Sequence, residues 1–215
     1  MGLVDRVTPT GEIVVAPLVC RWLGKRGVLH EGDTLVRSHQ GTTWTVCDQP
    51  RRYRRQPRWP PGQPTVLFFH DEAVALAAGH RPCDACRPKD FDAYRKAVAG
   101  RRVTTLPSAA EIDSQLHDER LDPDTGRRRL HTAKVTQLPV GTFVLLDDGP
   151  AMIQLGLVSP WTQAKGYVRP SIRPARGTVQ VLTPPSTVEA LRNGYRPQTD
   201  IVVLHSYDDG RPNGF

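Results

Sequence analysis

The chain of 215 residues has no apolar run near the length of about 20 residues that a transmembrane helix requires. Its first 20 residues also lack the basic start and following apolar stretch of a secretory signal peptide. These two absences predict a cytoplasmic protein without a membrane-spanning segment. Disulfide bonds are rare in a reducing compartment, so the chain's four cysteines indicate a metal site, thiol chemistry or simple burial.

Sequence signatures of familiar catalytic families are missing as well. The chain has neither an HNH nor a GIY-YIG nuclease pattern, and Ser186 lacks the flanking glycines of a nucleophile elbow. Acidic residues are absent between positions 149 and 188. The formal net charge is +7 and the pI is near 9.6, a balance that predicts a polyanionic partner. DNA is the simplest such partner and RNA the second, and a basic enzyme without any nucleic-acid partner is the alternative.

Hydrophobic and turn patterns predict an α+β fold. Positions 1–47 are rich in Val, Thr and Trp between glycine turns, which is typical of short strands. An N-cap at Asp71 and a stop at Gly79 predict a helix between them, and Ser108 with Glu111 forms a capping box at the start of another. Strands return in the last third of the chain, where an Asp-Gly pair predicts the turn of a hairpin.

Two of the cysteines are spaced for a metal site. Cys83 and Cys86 are separated by two residues, which lets both thiolates bind one zinc ion from a single turn. Cys47, at the end of a predicted strand, is the third ligand. The fourth stays open between Cys20, which ends another predicted strand and would complete four thiolates, and His80, three residues before Cys83.

Other interpretations of the cysteines stay open as well. His70 and His39 are further candidates for the fourth ligand. A redox pair is expected directly after a strand in a βαβ unit, whereas here a predicted helix and a glycine stop come first. Two structural cysteines without a shared ion are the remaining alternative.

A basic stretch follows Cys47. Positions 51–58, RRYRRQPR, hold five arginines, one tyrosine and no acidic residue, and Trp59 comes next. Guanidinium groups bind phosphates in a bidentate way, and aromatic rings stack on exposed bases. The stretch therefore predicts nucleic-acid contacts, with a solvated loop as the alternative. The candidate nucleic-acid-binding residues are Arg51, Arg52, Tyr53, Arg54, Arg55 and Arg58.

Three side chains of the helix after Ser108 form a candidate catalytic site. Asp113 and His117 are four residues apart and so share one helix face, and Glu119 lies near the same end. A carboxylate beside an imidazole suits general acid–base chemistry. On DNA, Asp113 would activate water for N-glycosidic cleavage of a flipped base, or all three would bind a second ion in a nuclease. A solvated acidic helix face is the alternative.

The segment VLFFHDEAVALAAGHRPCDACRP, positions 66–88, resembles the second half of the zinc-binding N-terminal domain of the Ada DNA-repair family. That family has a Phe-Phe strand, an Ala-rich helix and then Gly-aromatic-Arg-Pro-Cys, two residues, Cys and Arg-Pro. The resemblance implies a zinc-stapled module that contacts DNA. The family's first two cysteines are four residues apart, whereas Arg51 stands four residues after Cys47, so suicidal methyl transfer is not expected.

These patterns predict two parts of the chain. Residues 1–100 form a zinc-stapled part of short strands and helices that contacts nucleic acid, and residues 101–215 form a β-rich part with the candidate acidic site. The two are separate units or one continuous domain. The predicted function is a zinc-containing DNA-binding protein that acts on damaged or modified DNA as a hydrolase, such as a base glycosylase. A non-enzymatic zinc module that regulates through nucleic acid is one alternative, and a small-molecule hydrolase with structural zinc is another.

Overall fold

The computed structural model describes residues 4–48, 59–100, 105–174 and 176–201, and its fold is α+β, as the sequence predicts. The helices are α1 (Glu72–Ala77), α2 (Pro88–Ala99), α3 (Ala109–Arg120) and α4 (Pro185–Arg192), with a 3-10 helix at Val135–Gln137. The strands before α2 are β1 (Val4–Val7), β2 (Ile13–Ala16), β3 (Trp22–Lys25), β4 (His30–Glu31), β5 (Thr34–Leu35), β6 (Thr45–Asp48), β7 (Leu67–Phe69) and β8 (Arg81–Pro82). The strands after α3 are β9 (His131–Lys134), β10 (Phe143–Leu146), β11 (Gly149–Ile153), β12 (Leu157–Thr162), β13 (Gly166–Tyr167), β14 (Ser171–Ile172) and β15 (Thr178–Val181).

The helix ends follow the predicted capping residues. The Asp71 carboxylate accepts a hydrogen bond of 2.9 Å from the backbone N–H of Val74 and so caps α1. Gly79 follows α1 with a φ of +87°, which is the left-handed conformation expected of a helix stop. Ser108 and Glu111 form both hydrogen bonds of the predicted capping box at the start of α3. These three predictions are confirmed.

The first sheet has six strands in the order β2-β1-β7-β3-β6-β8. Its pairs are antiparallel except β1 with β7 and β6 with β8, which are parallel. In the second of these parallel pairs, Val46 lies opposite Pro82. Cys47 follows Val46 in β6, and Cys83 directly follows β8. The two cysteines therefore lie side by side at the edge of the sheet.

Gly24 lies within β3, between β7 and β6. A Cβ atom at this position would lie 2.5 Å from the Phe69 ring and 2.6 Å from the carbonyl oxygen of Thr45. We expect Gly24→Ala to lower the free energy of unfolding by about 1–3 kcal/mol, because an extra methyl group overpacks the core. Chemical denaturation measures this change, with Val15→Ala at an exposed strand position (56% exposed) as the control. A Gly24→Ala variant as stable as the control would contradict the close packing of β3 against β6 and β7.

The second sheet has seven strands, six in the order β13-β12-β11-β10-β15-β9 and β14 paired with β12. Leu146 lies opposite Gly149, so Asp147 and Asp148 form the turn between β10 and β11. The predicted hairpin is thereby confirmed, but its turn lies one residue before the predicted Asp148-Gly149 pair. Helix α4 follows this sheet and returns the chain to α2, against which it packs.

Buried apolar side chains of the described residues form three clusters. The first combines Trp22 and Phe69 of the first sheet with Phe143 and Met152 of the second. The second joins α2, α3 and α4, and the third lies against the second sheet. The first cluster thus contains side chains from both sides of residue 100, and the division of the chain there stays a prediction. No described helix is both long and apolar enough to span a membrane.

Candidate metal centre

Three of the four cysteines lie together at the edge of the first sheet. The sulfur atoms of Cys47, Cys83 and Cys86 are all within 4.8 Å of one another. In a tetrahedral zinc site with Zn–S bonds of about 2.3 Å, the sulfurs are about 3.8 Å apart, so this spacing suits one shared ion. Within the described ranges, no other group of three His, Cys, Asp or Glu side chains brings its ligand atoms this close. The three thiols can therefore hold a metal ion.

The backbone positions the thiols through one strand pair and one turn. The N–H of Cys83 donates to the carbonyl oxygen of Val46 at 3.0 Å, which continues the β6–β8 pairing and sets Cys83 beside Cys47. A turn then brings Cys86 back toward Cys83, and the N–H of Arg87 closes it with a bond of 2.8 Å to the Cys83 carbonyl. Cys86 is exposed, so an ion would reach this site from the surface.

Hydrogen bonds favour negative charge on the central thiol. The Cys47 thiol and the backbone N–H groups of Ala85 and Cys86 donate to the Cys83 sulfur and lower the pKa of Cys83 to about 4. The hydrogen bond to Cys83 and burial raise the pKa of Cys47, and burial also raises the pKa of Cys86. These hydrogen bonds favour a thiolate within the group, and a bound divalent cation would favour ionisation of all three thiols.

Cys20 does not join this group, contrary to the sequence prediction. The residue of β3 that lies opposite Cys47 is Leu23. Cys20 comes three residues earlier, which corresponds to about 10 Å along a strand. It packs against the first hydrophobic cluster, and burial, partly offset by the nearby Arg6, raises the pKa of its thiol to about 12. Cys20 is therefore a packing residue in this fold.

His80, the alternative fourth ligand, also lies outside the group. Its buried ring contacts Phe69 and Trp44, with ring centroids 4.7 and 5.3 Å away. Burial, with nearby arginines adding to it, holds the pKa of His80 well below its usual value and keeps the ring neutral. His39 and His70 are likewise outside the group. The described residues therefore supply three ligands and leave a fourth position for solvent or another group.

Two buried arginines anchor the segment that carries the cysteine turn. Arg81 makes two hydrogen bonds to Asp113 of α3, at 2.8 and 2.9 Å. Arg87 donates to Glu72 of α1 at 2.8 Å and lies over the Trp22 ring, 4.5 Å from its centroid. Both arginines are at most 2% exposed. The residues on either side of Cys83 and Cys86 are thereby connected to two helices, α3 through Arg81 and α1 through Arg87.

The three residues of the predicted catalytic site do not converge. Asp113, His117 and Glu119 all belong to α3, but both oxygens of Asp113 bind Arg81, and one also accepts a bond of 2.9 Å from the hydroxyl of Thr43. Asp113 is 3% exposed. Its carboxylate is therefore the buried partner of an arginine, which leaves it poorly placed to activate water.

The other two members of the trio have separate neighbours. The carboxylate of Glu119 accepts bonds from the backbone N–H and the hydroxyl of Ser186 and so holds the first turn of α4. His117 lies beside Arg120 and His39, and burial followed by the charge of Arg120 lowers the pKa of its ring. The three side chains form no metal site within the described residues, and a catalytic role for them stays a prediction that this geometry does not favour.

The basic stretch at 51–58 lies outside the described residues, so the roles of its arginines and of Tyr53 stay predictions. Its two ends can be placed in the chain. It starts four residues after Cys47, a candidate ligand. It is followed by Trp59, which is buried and stacks on His30 with ring centroids 5.3 Å apart.

A further polar group, mostly buried, joins residues that lie far apart in the sequence. The indole N–H of Trp161 donates to Nδ1 of His70 at 3.3 Å, and Nε2 of His70 lies 3.4 Å from a carboxylate oxygen of Asp200. The Tyr167 hydroxyl donates to Asp71 at 2.8 Å, and burial raises the pKa of Asp71. The adjacent His70 and Asp71 after a predicted strand are the only signal of this group in the sequence.

Comparison with known proteins does not place the chain in a family. No protein-family model, curated protein or solved structure matches it. Its function is therefore inferred from its own residues, above all from the thiol group of Cys47, Cys83 and Cys86.

Proposed function

We propose that the chain is a zinc-containing DNA-binding protein that acts on damaged or modified DNA. The observation that carries this proposal is the thiol group, because Cys47, Cys83 and Cys86 are placed to bind one ion. The arginine-rich stretch at 51–58 begins four residues after Cys47. An ion bound at the thiols would connect Cys47, four residues before that stretch, to the turn before α2.

Zinc is the ion that this ligand set favours. Thiolates are soft donors that select zinc, copper(I) or iron–sulfur clusters over magnesium and calcium. Two cysteines with two residues between them are typical of structural zinc sites. Zinc would offset the charge of the thiolates and hold β6, β8 and the turn at Cys86 together. A water molecule or a residue outside the described ranges would supply the fourth ligand.

The charge of the chain and its resemblance to a repair family support DNA as the partner. The net charge of +7 and the five arginines at 51–58 suit a phosphate backbone. Tyr53, in the middle of that stretch, suits stacking on an exposed base. The resemblance of residues 66–88 to the Ada zinc-binding domain favours DNA over RNA and a role in repair.

Hydrolysis of the bound DNA is a second candidate function, and Asp200 is the carboxylate best placed for it. Its side chain is 32% exposed and lies 3.2 Å from Arg21 and 3.4 Å from His70. Unlike the buried Asp113, this carboxylate is partly exposed, so a lone pair not used by the two basic groups can accept a hydrogen bond from a water molecule and orient it. If this candidate is correct, Asp200→Asn keeps DNA binding and loses product formation on a damaged-base duplex. A wild-type chain that binds the duplex and forms no product is the non-enzymatic zinc module instead.

DNA binding is expected to weaken steeply with salt. Five phosphate contacts correspond to a slope of about −4.5 in a plot of log K against log salt concentration. Replacing the five arginines at 51–58 with glutamine should flatten that slope by about 4.5 and weaken binding at low salt by about 100-fold or more. Fluorescence anisotropy with a labelled duplex measures both quantities. The control replaces Arg127 and Arg129, two exposed arginines elsewhere on the surface, and equal binding by the glutamine variant and this control would refute the proposed contact.

A further inference from the structure

Three guanidinium groups lie close together near Trp44; we call Arg26, Arg120 and Arg128 the arginine group. The guanidinium carbons of Arg26 and Arg120 are 4.5 and 3.9 Å from the centroid of the Trp44 ring. These two side chains are buried, at 2% and 0% exposure. The charge of Arg128 adds to burial in lowering the pKa of both, so the three cations repel one another.

No carboxylate of the described residues forms an ion pair with the arginine group. Arg26 donates to the carbonyl oxygen of Gly11 at 3.0 Å. The other two members donate to the backbone carbonyls of Thr42, Ala77, Ala78, Gly79 and Leu182. The Nε atom of each member has no hydrogen-bond partner in the described part of the chain. The negative charge of Asp113 raises the pKa of Arg120 without a direct contact, because both carboxylate oxygens of Asp113 already bind Arg81.

The arginine group therefore holds positive charge that its surroundings offset only in part. Burial lowers the pKa of Arg26 and Arg120 to about 9 and that of Arg128 to about 10, yet a guanidinium stays charged at neutral pH. The carbonyls at the C-terminal end of α1 carry partial negative charge, which stabilises the positive charge of Arg120 and Arg128. Arg26 instead contacts the carbonyl of Gly11, which lies in a turn. Buried cations without a counter-ion are costly, so an anion beside them would stabilise the fold.

A cavity of about 440 Å³ opens beside the arginine group. Arg26 and Arg128 line it, and Ser38 adds a hydroxyl group. Arg37 also lines it, but its guanidinium is paired with Glu31 at 3.0 Å. Glu12 is the one carboxylate among the described residues that line it, and no ion pair joins Glu12 to Arg26 or Arg128 there. The cavity is thus predominantly positive, and its volume lies in the range of small-ligand sites, about 300–1,000 Å³.

We infer that this cavity binds a phosphate group. A phosphate has several acceptor oxygens, and guanidinium forks match their geometry while hydroxyl groups complete the contacts. The phosphate belongs either to a nucleic-acid strand, which would add a second contact to the proposed DNA binding, or to a free phosphate compound. The cavity requires neither the thiol group nor the stretch at 51–58, so it stands apart from the proposed metal centre.

Calorimetric titration with inorganic phosphate, at an ionic strength held constant with chloride, tests this inference. We expect wild type to bind phosphate and Arg26→Met to bind it at least about tenfold more weakly, because hydrogen bonds to a charged group are lost. Arg173→Met is the matched control, since Arg173 also donates to backbone carbonyls but does not line the cavity. Wild type that binds no phosphate, or equal binding by the two variants, overturns the inference.

Thermal unfolding provides a second readout of the same variants. Without phosphate, Arg26→Met should be no less stable than wild type, because it removes an unpaired buried cation. With phosphate, wild type should gain stability and Arg26→Met should not. If Arg26→Met does not fold, Arg26→Lys keeps the charge but loses the fork, and wild-type affinity in that variant would equally overturn the inference.

Two organic probes distinguish the sources of the phosphate. If it belongs to a strand, Arg26→Met weakens binding of a single-stranded oligonucleotide, and a nucleoside monophosphate competes poorly. If it belongs to a free compound, the monophosphate binds wild type and the oligonucleotide is unaffected by Arg26→Met. The glutamine variant of the arginines at 51–58 should keep its affinity for inorganic phosphate, so a failure of the proposed DNA contact is separable from a failure of this site.

Discussion

Replacing Cys83 with serine is expected to remove the bound metal and to destabilise the edge of the first sheet. Cys83 belongs to the thiol group, and its backbone forms hydrogen bonds to Val46 of β6 and to Arg87 at the end of the cysteine turn. A ligand present at about 1,000 times its Kd contributes about 4 kcal/mol to folding, and a structural zinc ion contributes at least that much. We therefore expect the melting temperature to fall by about 10 °C or more. Circular dichroism during heating measures the change.

Cys20→Ser is the matched control for this substitution. Cys20 is partly buried but lies outside the thiol group, so its variant should keep the metal and lose little stability. Treating wild type with a chelator should reproduce the Cys83→Ser result, because both remove the same ion. Equal melting temperatures for Cys83→Ser and Cys20→Ser would argue against a structural metal.

Asp113→Asn is expected to lower the free energy of unfolding by about 3–5 kcal/mol. The substitution leaves Arg81 buried and charged without its carboxylate, and breaking one side of a buried ion pair has this cost. If Asp113 were a catalytic residue instead, the same substitution would leave stability nearly unchanged and abolish turnover. Denaturant unfolding, measured alongside product formation, distinguishes the two roles.

Asp118→Asn provides the control on the same helix, because Asp118 is exposed and should tolerate the change. A double variant, Arg81→Met with Asp113→Leu, should recover much of the lost stability, since it removes both charges together. An Asp113→Asn variant as stable as Asp118→Asn would rule out a structural role for the Arg81–Asp113 pair.

The sequence was sufficient for the local part of the metal centre. The spacing of Cys83 and Cys86 is a property of one turn, and the caps at Asp71 and Ser108 depend on residues within three or four positions. Cys47 is also predicted, from its place at the end of a predicted strand, and in the fold it lies in β6, which pairs with β8. The prediction for Cys20 is wrong because composition does not determine strand register, and the pairing of β3 with β6 places Leu23 opposite Cys47.

Partners distant in the chain explain the remaining differences. Asp113 and His117 both lie on α3, as their spacing predicts. The partner of Asp113 is Arg81, which lies 32 residues earlier in the chain, and no local sequence pattern predicts that pair. Arg26 directly follows β3, Arg120 is the last residue of α3, and both guanidinium groups lie over the ring of Trp44, which directly precedes β6. An isolated arginine in a sequence indicates solvent exposure by default, so buried arginines of this kind become visible only in the fold.

The metal content of the purified protein and of its four cysteine variants decides whether the three thiols share an ion. Elemental analysis should find one zinc ion per wild-type chain, and cobalt substitution should give the charge-transfer absorption of thiolate ligands. The metal should be lost in Cys47→Ser, Cys83→Ser and Cys86→Ser and kept in Cys20→Ser. A folded wild-type chain without metal, or metal retained by all four variants, would contradict a metal centre at these thiols.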